Sequence, residues 1–137
     1  MAPISDGLRN ALSTLQDTIA EAEAALRKHP GASKASVWLE EHFDESKLPH
    51  VEQAYLETCR DDSNNLRICV AWYRDAVDLP SETRLLSEFH TQLRIDLGRH
   101  IPALLESAVN AEKEVQKEAE EAAIEIEQGL AEFRKNM

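Results

Sequence analysis

The chain is poor in several things that chemistry usually needs. It has only 4 glycines in 137 residues, and no GxGxxG, GxxxxGK or GxSxG pattern occurs, so a phosphate-cradling loop or a strained nucleophile turn has no sequence support. It has 2 cysteines, Cys59 and Cys69, without the CxxC spacing of a structural zinc site. The 5 histidines are scattered. None has Glu three residues before it, as a carboxylate-bridged metal centre in a helical bundle requires, and HExxH is absent. A calcium loop is excluded too, because the acidic cluster Asp61-Asp62 lacks the central glycine and distal glutamate. The expectation is therefore a chain with no catalytic residue, no metal and no cofactor.

Cations are also short. Lys plus Arg number 15 against 26 Asp plus Glu, a net charge of −11. Phosphate backbones are bound by clustered cations, so direct nucleic-acid binding is not expected, and neither is adhesion to an anionic membrane. No run of 18 apolar residues is available to span a bilayer, and "MAPISDGLRN" lacks the basic and apolar blocks of a secretory signal. With reduced thiols as the simplest state of Cys59 and Cys69, this points to a cytoplasmic protein. Aromatic residues make up only 5%, so the core rests mainly on Leu, Ile, Val and Ala.

What is present is helical periodicity. Leu8, Leu12, Leu15, Ile19, Ala22 and Leu26 are spaced 4-3-4-3-4, with Ser5 placed to cap and His29-Pro30-Gly31 placed to stop. Leu86, Phe89, Leu93, Leu97 and Ile101 continue a stripe in 81–101, and Gly98 and Pro102 mark a break. From 102 onward Leu105, Ala108, Glu112, Val115, Ala119, Ala122, Ile126, Leu130, Phe133 and Met137 form one thin stripe, with a phase shift at Ile126–Leu130.

Residues 33–79 are ambiguous. Leu66, Cys69, Val70, Tyr73 and Val77 fit a helical face, while Leu66, Ile68, Val70 and Trp72 alternate like a strand. Two short helices are expected, because an isolated two-stranded hairpin is marginal. A small β-hairpin at 51–74 is the alternative.

These signals predict an all-α helical bundle, a single domain over 1–137. It has a first long helix (1–30), short helices (33–79), a helix at 80–101 and a long C-terminal helix (102–135) with coiled-coil character. Val115–Ala122 is expected to pack on the first helix. Beyond it the stripe outruns its cover, so Ile126, Leu130 and Phe133 are expected to touch a partner, joined by Trp72 and Tyr73 if those aromatics are exposed. Glu112, a carboxylate on the stripe, is expected either beyond the packed region or paired with a base such as Arg9 or Arg27.

The function expected is that of a non-enzymatic protein–protein interaction module: a small acidic adaptor, chaperone-like or regulatory protein. Its partner would be a second copy or another protein, a basic one being suited to the charge. The rival expectation is an acidic mimic of DNA or RNA that inhibits a nucleic-acid-binding protein.

Overall fold

The computed structural model describes residues 5–39, 53–73, 80 and 82–137. Among the described residues, four strands and three α-helices build an α+β fold, which overturns the expected all-α bundle and its coiled-coil character. Helix α1 (Asp6–Arg27) starts at Ser5, whose Oγ accepts from the Leu8 N–H at 3.1 Å. A short 3-10 turn (Ala32–Lys34) leads into β1 (Ser36–Trp38). Strands β2 (Gln53–Arg60), β3 (Leu66–Tyr73) and β4 (Glu82–Leu85) follow, and the order β1-β2-β3-β4 is an antiparallel meander. Helix α2 (Thr91–Gly98) and the 35-residue α3 (Ile101–Lys135) complete the chain.

The preference for helices in the middle fails for a specific reason. A hairpin of β2 and β3 alone would be marginal, but it is not alone. β1 and β4 widen it to four strands, and the helices cover one of its faces. The turn is also strongly specified. Asp61 Oδ1 accepts from the N–H groups of Ser63 and Asn65 at 3.0 and 2.9 Å, and Asn64 takes the left-handed conformation with φ 62°. The expected single helix over 80–101 is likewise replaced, by β4, a 3-10 turn at Leu86–Glu88 and α2. The expectation for Val77 lies outside the described residues.

Strand alternation divides the sheet. Val37, Leu56, Val70 and Arg84 align across the four strands on one face, and Ser36, Glu57, Cys69 and Leu85 on the other. The first face, with Leu66, Ile68 and Trp72, meets Ile19 and Leu26 of α1, Leu97 of α2, and Ile101, Leu104 and Ala108 of α3 in one buried cluster. Glu23 of α1 enters this layer at only 7% exposure. Its Oε2 accepts from Arg67 Nε at 2.9 Å and from the Ile68 N–H at 2.8 Å, so the charge is matched by a guanidinium and a strand amide.

Candidate interaction surface

The segment after α1 clamps the start of α3. Gly31 lies so close to α3 that a Cβ there would collide with the Ala108 carbonyl oxygen and the Glu112 amide nitrogen. The Ser36 N–H donates to Ser107 Oγ at 3.0 Å. His29 Nδ1 accepts from the Gly31 N–H at 3.1 Å, which leaves Nε2 to carry the proton and donate to Glu112 Oε2 at 3.1 Å. The basic partner of Glu112 is thus His29, in place of Arg9 or Arg27. Arg27 is turned elsewhere, its Nε donating to the Leu66 carbonyl at 3.0 Å.

Beyond this clamp α3 leaves the body. The Lys34–Glu118 pair at 3.6 Å marks the exit. Every residue from 116 to 137 is exposed. At about 1.5 Å per residue, the helical part of this overhang is roughly 30 Å long. Ala119 and Ala122 are exposed as well, so the expected packing of Val115–Ala122 on α1 does not occur. Ile126, Leu130 and Phe133 are 63%, 44% and 63% exposed. Helical spacing puts them on one face with Ala119 and Ala122.

The same spacing arranges the charges. Glu118, Glu125 and Glu132 recur every seven residues along one flank of the stripe, and Glu120 and Glu127 along the other. Residues 118–132 contain six glutamates (118, 120, 121, 125, 127 and 132) and no Lys or Arg. Arg134 and Lys135 sit in the last turn, where the helix dipole favours cations.

The two aromatics grouped with this stripe lie elsewhere. Trp72 is 1% exposed, packed against Phe89 at 6.3 Å between centroids and capped by the Arg84 guanidinium. It is a core residue on the covered face of the sheet. Tyr73 is half-buried on the other face, edge-on to Tyr55 at 5.5 Å, with its hydroxyl on Glu57 at 2.7 and 2.8 Å. The exposed tryptophan is Trp38, at 56%. Its signal was strand parity: Val37 points into the core, so its neighbour must point out.

This outer sheet face holds the remaining titratable cluster. Burial pushes the Glu57 carboxyl above its ordinary value, against the hydrogen bonds from Tyr73 and Ser36. Cys59 and Cys69 are free thiols on adjacent strands. A hydrogen bond from Cys69 draws the Cys59 thiol below its usual value, and the same contact together with burial holds Cys69 far above it. Among the described residues no group of three or more His, Cys, Asp or Glu is placed to hold a metal ion, and no helix is long and apolar enough to cross a membrane.

No protein-family model matches this chain, and no curated protein or solved structure matches it.

Proposed function

We propose that this chain is a non-enzymatic protein–protein interaction module that docks a basic amphipathic helix along the overhanging half of α3. The observation that carries this reading is the exposed stripe Ile126, Leu130 and Phe133 on a helix that has left its own core. Large apolar side chains in a contiguous exposed row mark contact surfaces.

The flanks argue for the partner's chemistry. In an antiparallel pair of two copies, Glu118, Glu125 and Glu132 would oppose their own equivalents and repel. In a parallel pair the layers on either side of Ile126 would be Ala122 and Gly129, which fill little space. A partner with bulky apolar residues fits those shallow positions, and Lys or Arg beside them meets the two glutamate rows. Such a module suits an adaptor, chaperone-like or regulatory role.

Two synthetic amphipathic peptides test this, both with a Leu stripe, one flanked by Lys and one by Glu. Calorimetry is expected to show saturable binding of the Lys peptide alone, weakened by salt and lost in Ile126→Glu/Phe133→Glu. Equal binding of the double variant would contradict docking on the apolar face and favour the nucleic-acid mimic, which needs only the charges. Concentration-dependent dimerisation with no peptide binding would favour a second copy as the occupant.

A further inference from the structure

The outer face of the sheet, opposite the helices, gathers both tyrosines and one of the 2 tryptophans of an aromatic-poor chain. The register sets Trp38 of β1 directly across from Tyr55 of β2. Tyr55 pairs with Ala71, which leaves Tyr73 of β3 on its diagonal. Glu57 follows two residues along β2 and so shares the same face.

Two of these rings stand at right angles: Tyr73 is edge-on to Tyr55, with planes at 88° and centroids 5.5 Å apart. Trp38 is 56% exposed and makes no ring contact with a described residue. Glu57 is half-buried, and its hydrogen-bond donors among the described residues are the hydroxyls of Tyr73 and Ser36. No Lys, Arg or His among the described residues pairs with it. Arg67, on the same face of β3, is turned to Glu23 and Asp61. The face therefore combines open aromatic surface with a carboxylate that lacks a counter-ion.

We propose that this face binds a small quaternary ammonium ion, held against the rings of Trp38, Tyr55 and Tyr73 beside the Glu57 carboxylate. The face of an aromatic ring is the negative end of its quadrupole and attracts cations. A monocation balances the single carboxylate. A primary ammonium carries three N–H donors that need acceptors, and the rings supply none. A quaternary ion has no donor to leave unmatched when it loses water. A neutral apolar molecule would leave Glu57 without a counter-ion. Three rings and one carboxylate offer contacts for one small ion rather than for a length of chain.

Choline is the probe, titrated into the full chain and followed by NMR at the indole N–H signals of Trp38 and Trp72 and at the rings of Tyr55 and Tyr73. Saturable shifts are expected at Trp38, Tyr55 and Tyr73, with none at Trp72, which is sealed on the other face of the sheet. Dimethylbutanol, the neutral isostere of choline, and ethanolamine, its primary-ammonium counterpart, are each expected to bind at least about tenfold more weakly. Trp38→Ala and Glu57→Gln are each expected to weaken choline by a similar factor. Absence of a saturable choline shift would overturn the proposal. So would equal binding of dimethylbutanol, equal binding of ethanolamine, or unchanged choline binding in Trp38→Ala. A trimethyllysine peptide that binds more tightly than choline would overturn the assignment to a free ion. Trp38 is on the surface, so its variant and the ligand series decide the matter even if Glu57→Gln does not fold.

Discussion

The two halves of α3 are one continuous helix and have opposite surroundings. From Ile101 to Val115 the helix is clamped by the 29–36 segment and buries Ile101, Leu104 and Ala108 against the sheet. From Gln116 to Lys135 every residue is exposed, and almost nothing among the described residues touches it. Their apolar spacing is continuous through the exit point. An amphipathic stripe therefore says that a face will be covered, and it leaves open which molecule provides the cover.

Changes in the clamped half should cost stability, and changes in the free half should not. Leu104→Ala, at a site with no exposure, is expected to lose about 2–5 kcal/mol in urea unfolding. Ile126→Ala is expected to stay within about 0.5 kcal/mol, and a loss as large as that of Leu104→Ala would erase the distinction between the halves. Glu23→Gln, which removes the anion facing Arg67 inside the body, is expected to cost about 3 kcal/mol in the same measurement. Gly31→Ala forces the clamp off the α3 backbone and is expected to cost about 1–3 kcal/mol, with hydrogen exchange rising at Ala108 to Glu112.

A smaller effect belongs to the outer face of the sheet. Because the folded state raises the Glu57 carboxyl above its ordinary value, the folded protein holds that proton to higher pH than the unfolded chain does. Its contribution is therefore most favourable below the ordinary carboxylate value and declines as pH rises through the raised one. Stability against pH, measured for the protein and for Glu57→Gln, should show that decline only where Glu57 is present.

The sequence was legible where local signals suffice. Ser5, the Leu8-to-Leu26 spacing and His29-Pro30-Gly31 delimit α1 because capping, periodicity and chain breaking are properties of neighbouring residues. The exposure of Ile126, Leu130 and Phe133 could be anticipated because the stripe of the last helix is longer than the first helix expected to cover it. The middle was legible only as the alternative hairpin at 51–74, because β2 and β3 depend on β1 and β4, whose strands of 3 and 4 residues are too short to show a period. The tryptophans follow from this. Trp72 lies inside and Trp38 outside because of strand parity, and parity has no meaning until the segment is known to be a strand. Likewise His29 reaches Glu112 only because Gly31 brings the two segments together.

The central claim is that nothing among the described residues covers α3 beyond Glu118. Amide hydrogen exchange on the protein alone, at a low and a high concentration, tests it most directly. The account predicts strong protection across Ile101–Ala111, and weak protection across residues 120–135 that is the same at both concentrations and rises only when a basic amphipathic peptide is added. Strong protection of 120–135 in the isolated protein at either concentration would contradict it.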